Sequence, residues 1–145
     1  MTKTEAQRRA RLDSYLLNLG FTDSEVASLR RINSTLQRWH ELECGSESGA
    51  IERDEATGKP YWVSYTRRYL GANDARMRSP IADREAGALR RLARIIKARN
   101  ARTDAPVSTY IQTDPRGAAL YILRPGDIPE GTSVESCYTR GVCVF

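Results

Sequence analysis

VSTYIQTDPRGAALYILR, residues 107–124, sets two apolar runs on either side of Asp114-Pro115-Arg116-Gly117. Val, Ile, Thr and Tyr recur in these runs, and such β-branched and aromatic side chains suit a pleated, half-buried surface. Pro115 presets φ at the first corner of a turn, and Asp114 can bond backbone two residues on. The stretch therefore reads as a β-hairpin with a polar tip carrying one carboxylate and one guanidinium. A lone hairpin is marginal in water, so the rest of the chain must supply further strands or a layer of helices.

The helices lie upstream. Over residues 83–99, a rotation of about 100° per residue gathers Leu89, Leu92, Ile95 and Ile96 on one side and Arg90, Arg91, Arg94 and Lys97 on the other. Asp83 is the expected N-cap, with Ser79-Pro80 as an alternative, earlier start. At the N-terminus, Ala6, Ala10, Tyr15, Leu16 and Leu19 suit an amphipathic helix over residues 4–19, stopped by Gly20. Thr22 and Glu25 then have capping-box spacing, with Phe21 and Val26 placed as a hydrophobic staple. Val26, Leu29, Ile32, Leu36 and Trp39 continue as one apolar stripe towards Cys44, and Gly45 is the stop. The two helices form an antiparallel hairpin over residues 4–45.

A second β-hairpin is expected at residues 51–63, IERDEATGKPYWV, turning at Thr57-Gly58. Residues 64–79 are polar and without a sustained period, which reads as a long loop. After residue 124 a PGDIPEG connector leads to two strand candidates, SVESCYT and the terminal GVCVF, so the β part spans residues 107–145. Helices precede a small antiparallel sheet built from hairpins. The expectation is one α+β domain, residues 1–145, with a helical hairpin and one further amphipathic helix.

With 145 residues, 40% hydrophobic and 28% charged, the chain has the profile of a globular protein rather than a disordered one. Its apolar runs are far shorter than the roughly 20 residues that cross a bilayer, so no membrane span is expected. Cys44, Cys137 and Cys143 are odd in number, and the polar first residues carry Arg8, Arg9 and Arg11 rather than a signal segment. Both features suggest a reduced, intracellular protein. His40 and Cys44 with the other two cysteines would complete four metal ligands, but neither CxxC nor HxxxH spacing is present. No metal and no cofactor are expected. As the single histidine, His40 would have to serve any serine or cysteine hydrolase, with Cys44 on the same helical face, which is poor triad geometry. Glu41, Glu43, Asp54 and Glu55 read as surface carboxylates, so no catalytic residue is assigned.

Charge is more informative. The net charge is +5 and the pI about 9.4. Residues 81–106 hold seven Lys/Arg against three Asp/Glu, whereas residues 107–145 hold three against four. The excess thus sits on the third helix, where Arg90, Arg91, Arg94 and Lys97 form a candidate surface for nucleic acid or a protein partner. Arg67 and Arg68, with Arg76 and Arg78, could extend it; a solvated helix face is the duller reading. Asp114, Arg116 and Arg140 lie at turns and form a candidate anion site, or simply fix those turns.

LQRWHELECG (36–45), IERDEATGKPY (51–61), PIADREAGALRRL (80–92), YIQTDPRGAALYI (110–122) and YTRG (138–141) resemble segments of a group of small proteins encoded by bacteriophages and prophages. The resemblance covers most of residues 36–145 and little of the first helix. It implies a host bacterial cytoplasm and an accessory role in nucleic-acid metabolism, regulation or interference with host defence. It carries no catalytic residue across. Ala82 stands where that group often has Pro and Ala118 where it often has Cys, which removes a thiol from the hairpin. The leading expectation is a non-enzymatic accessory protein that binds a macromolecule, nucleic acid first. The alternatives are a protein antagonist of a host defence or regulatory complex and a small metal-dependent hydrolase or nuclease.

Overall fold

Capping chemistry sets the first two helices. The Thr2 hydroxyl accepts from the Glu5 amide (3.1 Å) while the Glu5 carboxylate accepts from the Thr2 amide (2.9 Å), opening α1 (Lys3–Asn18). Thr22 and Glu25 repeat the same reciprocal box at the start of α2 (Asp23–Trp39). Between the helices, Phe21 N–H reaches Leu16 O (3.2 Å) and Gly20 N–H reaches Leu17 O (3.0 Å), a Schellman closure that requires the left-handed φ of 97° at Gly20. Its hydrophobic contact is present too, because Leu16 and Phe21 both lie in the main core.

The computed structural model describes residues 2–125 and the strand at residues 141–143. It is an α+β fold. Strands β1 (Gly49–Arg53), β2 (Pro60–Ser64), β3 (Arg78–Pro80), β4 (Ser108–Asp114), β5 (Gly117–Leu123) and β6 (Gly141–Cys143) form one sheet in the order β3-β2-β1-β4-β5-β6, with every neighbour antiparallel. The expected hairpins are β1–β2 and β4–β5, the latter closing at Asp114↔Gly117. The SVESCYT stretch lies outside the described residues.

Alternation sorts the side chains of the sheet. Ile111, Ala118, Leu120 and Ile122 face the helices and join Leu29, Ile32 and Leu36 of α2 in the main core. Leu89 and Leu92 enter it from α5 (Asp83–Ala101), which packs against α2. All five expected stripe residues of α2 are buried. On the opposite face Ala119, Tyr121 and Leu123 form a second buried cluster with Tyr110 against it. β5 is therefore buried along its whole length, and its sequence is almost continuously apolar rather than alternating.

Four expectations need correction. On α1 only Leu16 is buried, while Tyr15 is 42% exposed, because this helix packs mainly against α2 at the margin of the layer. The loop expected at residues 64–79 holds α3 (Tyr65–Tyr69), α4 (Asp74–Met77) and β3. Ser64 and Asn73 cap the two short helices by accepting from the amides of Arg67 and Arg76, and each helix is too brief to show a period. Asp83 is the first helical residue of α5 rather than its cap; Ala82 occupies the cap position without a side-chain bond, and Asp83 and Glu85 in the first turn interact favourably with the positive end of the helix dipole. Finally, α2 runs into a π-helical turn, His40–Cys44, closed by Gly45 N–H to His40 O (3.3 Å).

Two polar clamps join the layers, and a third ties strands within the sheet. Gln37 of α2 bonds both the amide (3.1 Å) and the carbonyl of Ala118 on β5. Asn100 of α5 likewise bonds the amide (3.0 Å) and carbonyl (2.9 Å) of Val107, fixing the turn into β4. Trp62 reaches across β1, where its Nε1–H donates to the buried Thr113 hydroxyl (3.0 Å). Gly49 lies beneath that crossing: a Cβ there would stand 2.8 Å from Trp62 Nε1 and 2.1 Å from the Val63 carbonyl oxygen.

Candidate nucleic-acid interface

The arginines of the chain divide by what they hold. Arg99 is 4% exposed; its Nε–H donates to Leu19 O (2.8 Å), its Nη1 donates to the Asn100 side chain (3.0 Å) and it also bonds Ala105 O. It thereby satisfies a carbonyl left over at the C-terminal end of α1. Arg102 pairs with Glu25 and donates to Gly20 O (2.9 Å), while Arg30 pairs with Asp13. Two cations of the basic run at residues 81–106, Arg99 and Arg102, are thus committed to the fold.

Arg67 is committed as well. Its Nε and Nη2 donate to the two oxygens of Glu47 (2.8 and 2.9 Å), its Nη1 donates to Arg76 O (3.1 Å), and its guanidinium lies 5.5 Å from the centre of the Trp62 ring. The bond from Arg67 holds the Glu47 carboxyl below the ordinary glutamate range, outweighing the effect of burial. Arg68 lies over Tyr65, and Arg78 lies 4.5 Å from the centre of the Tyr61 ring. Arg67 and Arg68 belong to α3 and Arg78 to β3, and α3 packs on α4 and β1. Arg67, expected to extend the basic surface, has its guanidinium occupied by a bidentate ion pair.

Arg90, Arg91, Arg94 and Lys97 are arranged otherwise. All four are exposed on α5, opposite the buried Ala88, Leu89 and Leu92. Among the described residues none of them forms an ion pair. Arg90, Arg94 and Lys97 fall within an arc of about 60° and span about 10 Å of helix axis. Arg84, one turn and a half earlier, is exposed too, a residue missed because it precedes the cluster of cations.

The tip of the β4–β5 hairpin is self-satisfied. Asp114 accepts from the Arg116 amide (2.7 Å) and pairs with the Arg116 guanidinium (3.2 Å). His40, 5% exposed, lies with Nε2 2.6 Å from the Asp114 carbonyl oxygen and donates to it, tying the π-turn to the hairpin. Arg140 lies outside the described residues. Cys44 packs with Trp39 and Trp62, whose rings meet edge to face, and burial pushes its thiol up to about 12. Among the described residues, no three His, Cys, Asp or Glu side chains lie close enough to hold a metal ion. His40, Asp114 and Arg116 thus meet at one end of the sheet, whereas Asp54 lies at the other end and Trp39 lines a cavity of about 410 Å³ with Trp62, Arg67 and Glu85.

No helix among the described residues is long and apolar enough to cross a membrane. No family model, curated protein or solved structure matches the chain.

Proposed function

We propose that this protein binds nucleic acid through the outer face of α5, as a non-enzymatic accessory protein of a bacteriophage in the bacterial cytoplasm. The observation that carries the reading is the contrast among its arginines. Arg30, Arg67, Arg99, Arg102 and Arg116 each hold a carboxylate or a backbone carbonyl. Arg90, Arg91, Arg94 and Lys97 stand in solvent along one helix, at a net cost in mutual repulsion that a phosphate backbone would relieve. The resemblance of five segments to phage-encoded proteins supports the setting.

Gel mobility of single- and double-stranded DNA and RNA tests the proposal. At low salt the protein retards at least one of these nucleic acids, and replacing Arg90, Arg94 and Lys97 together by Glu abolishes the shift. Absence of a shift at low salt, or a shift that survives the triple replacement, contradicts it.

A further inference from the structure

The β1–β4 ladder is shorter than either of its strands. Gly49, Ala50 and Ile51 pair with Thr113, Gln112 and Ile111, and there the ladder ends. β1 nevertheless runs on to Arg53, held by β2 through Glu52↔Tyr61 and Arg53↔Pro60. β4 begins as far back as Ser108, held by β5 through Ser108↔Leu123 and Thr109↔Ile122. Two central strands thus diverge inside the sheet.

The wedge between them opens on both faces. On the helical side lies a groove of about 620 Å³ whose lining sets the apolar Ile51, Leu92, Ala93, Ile96 and Val107 beside Lys97 and Asn100. On the other side lies a groove of about 660 Å³ lined by Glu52, Asp54, Glu55, Tyr61 and Arg78. Arg53 and Thr109 border both, so the grooves meet where the strands part.

We propose that this wedge binds an extended segment of a partner protein, laid as a strand against the inner edges of β1 and β4, with apolar side chains on one side and basic ones on the other. This site adjoins the outer face of α5 at Lys97 and does not depend on the nucleic-acid reading. Strand edges without a ladder ask for backbone donors and acceptors at strand spacing, which an extended peptide supplies. Its successive side chains point to opposite faces, so one set enters the apolar groove beside Leu92 and Ile96. The other set meets Glu52, Asp54 and Glu55. The two cations on that side are engaged, since Arg53 donates to Gly58 O (3.0 Å) and Arg78 lies over Tyr61, so lysine or arginine side chains complement the groove. A polyanion would meet three carboxylates there, which favours a peptide over nucleic acid as occupant.

The probe is a short capped peptide in which valine and lysine alternate. Its controls are the same peptide N-methylated on alternate backbone nitrogens, a valine–glutamate version, and oligothymidylate. Amide hydrogen exchange of the full chain reads the site. The valine–lysine peptide slows exchange within residues 52–53 and 108–109, and it binds at least about tenfold more tightly than the methylated or glutamate forms. Ala93→Trp, which projects an indole into the apolar groove from an exposed position, and Glu55→Lys on the other side each weaken it by about tenfold or more while the unfolding midpoint holds. The proposal is overturned if the methylated peptide binds as well as its parent. It is equally overturned if no peptide protects these amides, or if oligothymidylate or self-association of the chain protects them instead.

Discussion

At the scale of single residues, the sheet depends on one position without a side chain. Trp62 can donate to Thr113 only because Gly49 leaves the space between them open. Gly49→Ala forces the Val63 carbonyl and the indole apart and strands a buried hydroxyl, with an expected loss of about 1–3 kcal/mol or more. The midpoint of urea unfolding checks this, and an unchanged midpoint would show that the crossing is not needed. Glu47 provides a pH signature. Because Arg67 lowers its folded-state value, the pair stabilises the fold fully above the ordinary glutamate value of about 4.3, and this contribution is lost as pH falls through the lowered value. Glu47→Gln therefore lowers the melting temperature at neutral pH, and the gap from the unmodified protein closes in strong acid. A gap that is constant with pH would deny the ion pair its role.

At the scale of elements, the face of α5 proposed to bind lies opposite the face it buries. Leu92 is 3% exposed and Leu92→Ala should cost about 2–5 kcal/mol, whereas Arg94→Ala should change stability by no more than about 0.5 kcal/mol. Thermal unfolding distinguishes them, and Arg94→Ala should then show its effect only in binding. This division was legible in the sequence because it is local: cations and leucines three and four residues apart report the helix and its two faces together. The same holds for the Thr22–Glu25 box and the Asp114–Gly117 turn, where the partners are neighbours in the chain. What was not legible is non-local or brief. Ser64 and Asn73 start helices of one turn or little more, too short to impose a period. Arg67 and Arg90 look alike in the sequence, and only the approach of Glu47, twenty residues away from Arg67, makes one structural. The divergence of β1 from β4 leaves no mark on either strand, since each is well paired on its outer side.

At the scale of the molecule, three helices cover one face of a six-stranded antiparallel sheet, and α5 presents Arg84, Arg90, Arg91, Arg94 and Lys97 to solvent outside the ion pairs of the described residues. The wedge opens beside the C-terminal half of that helix, where Lys97 and Asn100 line the apolar groove. A basic face and a peptide-accepting cleft would then lie within reach of each other, so that a protein partner and a nucleic acid could be held together. The first of these carries the central claim, and its electrostatic origin can be measured. In fluorescence anisotropy titrations of a labelled oligonucleotide, the logarithm of the association constant should fall linearly with the logarithm of salt concentration. Replacing Arg90, Arg94 and Lys97 by Gln should reduce the steepness of that line by about 2–3, one phosphate contact being lost for each cation. A line of unchanged slope and affinity in the triple variant would contradict the account, because the binding would then arise somewhere other than the outer face of α5.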